Sequence, residues 1–369
     1  MTTNSIDSSA VNLRLQTDSH SHVTDLKIVT NLTWPSFRNV SLDIQKALQP
    51  YCHIELLDWR HSKPTGKILF METVRKDTLK YLGELLPNDN IVFYGTTEGH
   101  SVLDEDSLRV AKKIKIVAVS DFVRQMLEEV GLHVAGIVHH GLDMEETNVN
   151  SSFVQSVKDK VRDKLVALTI SSNDVRKGLD SLLRAFKLVE AEVPNSFLIL
   201  HSQPKRYYNS EQKQLKELYS DLPALTSELG LNHIWLTNSY GMMTPEEVNG
   251  LYQICNFYVF PSFSEGFGLP IIESFRFSKP VIAVDAPPFN EIIKDGQTGK
   301  LIPYNDVRWF NRRNEILFKM HIYEPNILAK AIMDLMTNAE LRENMRKNIE
   351  SERCHWSIHK LYPQLLNYF

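Results

Sequence analysis

At 369 residues, with 43% hydrophobic and 23% charged content, the chain is long enough for two cores and has the balance of a globular protein. A net charge of −4 argues against nucleic acid as the main partner, and no window reaches the roughly 20 continuous apolar residues of a membrane span. Cys52, Cys255 and Cys354 form no C-x-x-C pair, which speaks against a zinc site or a disulfide framework and for a reducing, cytoplasmic compartment.

Residues 1–25 are rich in Ser, Thr and Asn, lack the apolar stretch of a secretory signal and read as a flexible lead-in. Leu26–Thr30 reads as the first strand, followed by a loop through Trp34 and Pro35 and a helix near Val40–Leu48. Ile54–Leu57, Lys67–Phe70, Ile91–Tyr94 and Ile116–Val119 are further strands, with a helix near Asp121–Val130, and Ile137–Gly141 closes this half. Asp104-Glu-Asp106 reads as a solvated turn. The histidines His20, His22, His139 and His140 read as polar-tail and turn residues rather than metal ligands, since no acidic or Cys partner sits at ligand spacing. Strands alternating with helices predict an α/β, doubly wound parallel sheet over residues 26–150.

Met144–Lys164 turns polar and reads as an interdomain linker. The pattern then restarts over residues 151–356: Leu165–Ile170, Phe197–Leu200, Ile234–Thr237, Phe257–Phe260, Val281–Val284 and Gly299–Ile302 as strands. Helices are expected at Gly178–Ala191, Gln212–Leu229, Pro245–Gln253 and Phe289–Lys294, and from Glu324 onward. A final crossover segment, about 357–369, returns to the first domain. Asp306–Tyr323, with Trp309, Phe310, Arg312, Arg313, Phe318 and Lys319, interrupts the regularity; packing against the core is favoured over contact with an anionic lipid surface or closure over the cleft.

Two segments carry chemistry. Glu265-Gly-Phe-Gly-Leu-Pro-Ile-Ile-Glu273 follows an apolar strand, and Pro270 suits the first helical position. A helix beginning there leaves backbone N–H groups for a phosphate, with Glu265 before it and Glu273 on its first turn. The acids would repel phosphate, so they suit neutral hydroxyl-rich groups such as a sugar and a ribose; alternatively they are ordinary acids near a helix N-terminus. Val175-Arg-Lys-Gly-Leu179 puts two cations before a helix, where the dipole disfavours them unless an anion is present.

The Glu265–Glu273 segment resembles the E-x7-E motif of retaining glycosyltransferases of family 4, which have the GT-B fold of two Rossmann-like domains facing across a cleft. Arg176-Lys177-Gly178 resembles the same family's R-K-G motif. The resemblance implies that Lys177, helped by Arg176, contacts the donor diphosphate, Glu265 the sugar hydroxyls and Glu273 the ribose. It further implies that Ser262 and the backbone of Gly266, Phe267, Gly268 and Leu269 line the diphosphate, and that Tyr240 and Met242 lie in the loop beneath the base. His100 matches by type a histidine near the reacting carbon or acceptor, Glu98 a T-x-E variant; either could instead cap the following segment. Ala118–Asp121, Val138–Asp143 and Asp295–Pro303 match further landmarks, with Ser120 read as a helix cap. The family's Gly-Gly loop is replaced by Asn31–Arg38, and its upstream Arg by Ser171-Ser172-Asn173.

The expected activity is therefore transfer of a hexose of mannose or glucose type, from a donor such as GDP-mannose or UDP-glucose, to a glycan, lipid or protein hydroxyl. No metal is required, and peripheral contact with the cytoplasmic membrane face is compatible. The alternatives are a glycogen-synthase-like enzyme, a GT-B epimerase, or a non-catalytic nucleotide- or glycan-binding subunit.

Overall fold

Short runs of Val, Ile, Leu and Phe, buried on both faces, build two parallel sheets in the computed structural model, which describes residues 25–86, 90–203, 219–237 and 241–369. The first sheet contains β1 (Leu26–Thr30), β2 (Ile54–Asp58), β3 (Lys67–Thr73) and β4 (Asn90–Thr96). After a short strand β5 (Gly99–Ser101) it continues with β6 (Lys115–Ala118) and β7 (Val134–Ile137), in the order β2-β1-β3-β4-β6-β7. The second comprises β8 (Leu165–Ile170), β9 (Ser196–His201), β10 (Ile234–Leu236), β11 (Phe257–Val259), β12 (Val281–Val284) and β13 (Gly299–Ile302), in the order β10-β9-β8-β11-β12-β13. Both orders reverse at an inner strand pair, β1/β3 in one and β8/β11 in the other, and such switch points are where open α/β sheets bind ligands.

The helices bury one face each. In Leu179–Glu192, for example, Leu182, Leu183, Phe186 and Val189 are fully buried at helical spacing. The closing segment runs back onto the first domain: Tyr362 donates its hydroxyl proton to Gly141 O at 3.1 Å, and Lys115 Nζ donates to Tyr368 O at 2.6 Å. No helix among the described residues is long and apolar enough to cross a membrane.

Several expectations are corrected. The polar stretch after Met144 contains a helix, Ser151–Lys160, whose cap Asn150 accepts from Phe153 N and whose Val154 and Val157 are buried. Asp104 is the cap of helix Glu105–Ala111, accepting from Ser107 N at 2.9 Å, rather than part of a solvated turn. Pro270 is the second residue of helix Leu269–Arg276, and Glu273 therefore lies beyond its first turn. Of the helix expected over Gln212–Leu229, the described part is Leu222–Glu228. Residues 1–24, with His20 and His22, and Tyr240 lie outside the described residues.

The interrupting segment is a β-hairpin, β14 (Asp306–Arg312) and β15 (Ile316–Ile322), and β15 pairs antiparallel with β5. A strand leaving the second sheet's chain thus completes a three-stranded sheet with a strand of the first domain.

Candidate active site

The loops after β8 and β11 meet at the second sheet's switch point. After β8, Asp174 caps a short 3-10 turn, Val175–Lys177, by accepting from Arg176 N at 3.2 Å. The turn ends on Gly178 at φ +62°, where a Cβ would lie 2.2 Å from Pro261 O. Glycine is required there twice over, by its backbone angle and by the closeness of the other loop. Phe263 N donates to Arg176 O at 2.7 Å, so the two loops are also hydrogen-bonded.

This contact brings Arg176, Lys177 and Glu265 together. Lys177 Nζ lies 2.5 Å from Glu265 Oε1, and Arg176 Nη1 lies 2.6 Å from Oε2. Arg176 also donates to Ser264 O at 2.9 Å and pairs with Glu98 of the first domain at 3.1 Å. All of these side chains are largely shielded from water. Burial alone would raise the Glu265 carboxyl, but Arg176 and Lys177 outweigh it and hold it at about 2. Burial likewise opposes the Arg176 charge, and Glu265, Glu98 and Asp174 override it, keeping the group above its ordinary value. Burial, and then the charge of the adjacent Arg176, pull the Lys177 ammonium below its ordinary value against the opposing attraction of Glu265.

The remaining residues divide. Ser262 is fully buried and its Oγ has no hydrogen-bond partner among the described residues. Gly266 packs against the first domain: a Cβ there would lie 2.1 Å from Thr96 Oγ1. Phe267 turns its ring among His139, His140 and Trp356, with centroids 5.2 to 6.0 Å away, so its side chain is engaged within the protein. Gly268 caps helix Leu269–Arg276, and Leu269 is half-buried. Glu273 accepts a hydrogen bond from the buried Tyr252 hydroxyl at 2.7 Å. Met242 is 81% exposed. Glu98 joins the cluster, whereas the contacts of His100 lie elsewhere: its Nε2 is 2.6 Å from Glu129 and its ring centroid 4.4 Å from that of Trp309.

Sequence reading missed the residues that close the cleft. Ser120 caps its helix by accepting from Val123 N, as expected, but also donates to Gly266 O across the cleft at 2.7 Å. Glu291 accepts from Asp121 N and Phe122 N, both at 2.8 Å, on that same helix. Ser264 Oγ donates to Glu98 O at 2.7 Å. Asp121, His139 and Glu291 also place ligand atoms within 4.8 Å of one another, acidic partners that chain spacing could not supply to His139; the Glu291 oxygens are already used by the helix N–H groups.

Residues 151–321 match the family model described as glycosyl transferases group 1. The uncharacterized glycosyltransferase 335 of Sulfolobus islandicus rod-shaped virus 1 is 24% identical over 92% of this chain and 98% of its own. The serotype-specific mannosyltransferase WbdA of Escherichia coli is 28% identical over 142 residues, 38% of this chain and 16% of that one. Among solved structures, HepE of Anabaena in complex with UDP and glucose is similar with a TM-score of 0.67 at 15% identity, over 93% of this chain and 98% of that chain. Fold and sequence together give a GT-B molecule whose residues 151–321 are similar to the group 1 glycosyl transferases.

Proposed function

We propose that the protein is a retaining hexosyltransferase of family 4, moving a mannose- or glucose-type hexose from a nucleotide diphosphate sugar to an acceptor hydroxyl. One observation carries this: a buried carboxylate, Glu265, gripped by both Arg176 and Lys177 at the switch point of the second sheet. The names of relatives support the sugar class, one a mannosyltransferase and one solved with UDP and glucose.

The cations Arg176, Lys177 and Arg312 are matched here by the acids Glu98, Asp174 and Glu265, so the cluster is close to neutral. An arriving diphosphate competes with Glu265 for Lys177. As Lys177 turns to the diphosphate, Glu265 is released to accept hydrogen bonds from sugar hydroxyls, while Ser262 Oγ, unpartnered among the described residues, donates to the ligand. Glu273, held by Tyr252, takes the ribose hydroxyls. The loop Thr96–Glu98 faces the acceptor, with His100 at its outer margin.

In the transition state negative charge builds on the leaving diphosphate, and charge-assisted hydrogen bonds from Lys177 and Arg176 contribute about 1.5–3 kcal/mol each. The bond from the anomeric carbon to the diphosphate oxygen breaks, and the acceptor oxygen bonds to that carbon on the same face. Its proton passes to the leaving phosphate. The cations stand in for the metal that other transferases use, so no metal is required.

The test is a screen of GDP-, UDP- and ADP-sugars, with and without a chelator, followed by mass and anomeric analysis of the product. Sugar transfer with retention is expected, and inversion or donor hydrolysis alone would sink the assignment. A second reading, a non-catalytic subunit, draws on the neutralised cations and on side chains at Asn31–Arg38 where the resembled family has glycines; nucleotide binding without turnover would favour it.

A further inference from the structure

The hairpin β14–β15 touches the candidate site at three places. On the R-K-G turn, Arg312 pairs with Asp174 at 3.6 Å, the residue that caps Arg176 N. The Arg176 and Arg312 guanidinium carbons lie 5.5 and 5.6 Å from the ring centre of Phe318, which is fully buried. On the loop after β11, His321 N donates to Phe263 O at 2.9 Å, and the Tyr323 hydroxyl just past β15 donates to Pro261 O at 2.6 Å. In the first domain, Lys319 N donates to Glu98 O at 3.2 Å and Val102 N to Glu315 O at 2.9 Å, at the two ends of the β5–β15 ladder.

We propose that this hairpin is a working part of the site, with Phe318 and Arg312 acting as positioning residues that hold Arg176 toward Glu265 and Glu98. The assignment rests on the sugar-transfer reading for what Arg176 does, but not for how it is held. Two physical effects favour it. A guanidinium over an aromatic face is attracted to the ring while its N–H edge stays available to carboxylates, so Phe318 orients Arg176 without consuming its donors. Arg312 offsets part of the Asp174 charge, so Asp174 can cap the turn without drawing the Arg176 side chain away from Glu265. Because the hairpin is hydrogen-bonded to β5, docking of the first domain is transmitted directly to Arg176. Opening the cleft then either breaks the β5–β15 ladder or carries the hairpin away from Phe263 and Asp174. In both cases the cation is loosened, so a productive Arg176 geometry exists only with the domains joined.

The test compares the full chain with Phe318→Leu, Arg312→Gln and, as a control on the exposed face of the hairpin, Arg308→Gln. Phenylglyoxal labelling of Arg176, read by mass spectrometry, reports its release independently of activity. Phe318→Leu and Arg312→Gln are expected to label at least about fivefold faster than the parent and Arg308→Gln no faster, because labelling follows local opening. With donor and acceptor, the same two variants should lose at least about tenfold in kcat with little change in acceptor KM, as expected for a group acting in the transition state. Unchanged labelling in both overturns the proposal. Should Phe318→Leu fail to fold, Arg312→Gln, at the half-exposed rim, decides alone. If the parent transfers no sugar the functional reading falls, while the labelling still decides whether the hairpin holds Arg176.

Discussion

Lys177 Nζ and Glu265 Oε1 face each other at 2.5 Å in a buried ion pair, although 88 residues separate them in the chain. Neither residue can keep its charge in such a place alone, since an unpaired buried ion costs several kcal/mol. The pair exists because Gly178 lets the loop after β8 approach Pro261 closely enough for both side chains to meet. The motif that grips the donor in the proposed reaction is thus also part of what holds the two loops together.

Breaking that pair should affect stability and activity separately. Glu265→Ala leaves Arg176 and Lys177 buried with less than their due of negative charge, and should cost about 3–5 kcal/mol in urea unfolding. Lys177→Ala removes the more weakly held cation while Glu265 keeps Arg176, so it should destabilise less. Both should lower sugar transfer at least about tenfold. A saturating nucleoside diphosphate, at 100 times its dissociation constant, should add about 2.7 kcal/mol to the parent and markedly less to Lys177→Ala.

The pH dependence of stability should have two limbs. Glu265 sits at about 2 when folded against an ordinary 4.5, so the stability it contributes is present above 4.5 and is lost as pH falls toward 2. Asp43 behaves oppositely: burial first, then Glu146 and Asp143, raise it to about 7 from an ordinary 3.8. Its contribution is fully present below 3.8 and is lost as pH rises through about 7. Melting temperature, measured from pH 3 to 8.5, isolates the Asp43 limb when the parent is compared with a variant lacking that carboxyl. Asp43→Asn should raise it above pH 7 and leave it unchanged near pH 3.5; an equal shift across the range would refute the assignment to Asp43.

Much of this was legible in the chain. The strands of both sheets are continuous apolar runs, and the R-K-G and E-G-F-G-L-P segments announce themselves through glycines that a tight approach demands. The hairpin was not legible, for two reasons. Every residue of β14 from Asp306 to Trp309 is exposed, so it lacks the alternation of a half-buried strand, although Ile316, Phe318 and Met320 on β15 have it. Its turn places Arg313 and Asn314 at φ +54° and +55°, positions where Asn-Gly would have given the signal. Glu291 was unreadable because its partners, the Asp121 and Phe122 amides, lie about 170 residues away and carry no side-chain signature.

Removing the Glu291 carboxylate should loosen the interdomain contact. Glu291→Ala leaves the Asp121 and Phe122 N–H groups without their acceptor and the helix end without its anion, a loss of about 1–2 kcal/mol by analogy with a missing helix cap. Faster hydrogen exchange at those amides and a larger radius of gyration in small-angle scattering are expected. Glu291→Gln should fall between, since one amide oxygen can still accept. Exchange rates unchanged in Glu291→Ala would show that the contact is not maintained in solution.

Tyr252→Phe tests the ribose end without touching a residue proposed to contact the donor. The Tyr252 hydroxyl donates to Glu273 at 2.7 Å, and its ring stacks on Tyr258 and Phe277, so phenylalanine preserves the packing and deletes one bond. That bond holds the Glu273 carboxylate through one of its two oxygens. Its loss should weaken nucleoside diphosphate binding by about 0.5–1.5 kcal/mol, read by calorimetry as a rise in Kd of up to about tenfold. Since the ribose does not change during transfer, kcat at saturating donor should stay within about twofold of the parent while donor KM rises. A fall in kcat with unchanged KM would instead place Glu273 next to the reacting carbon and reverse the roles proposed for the two glutamates.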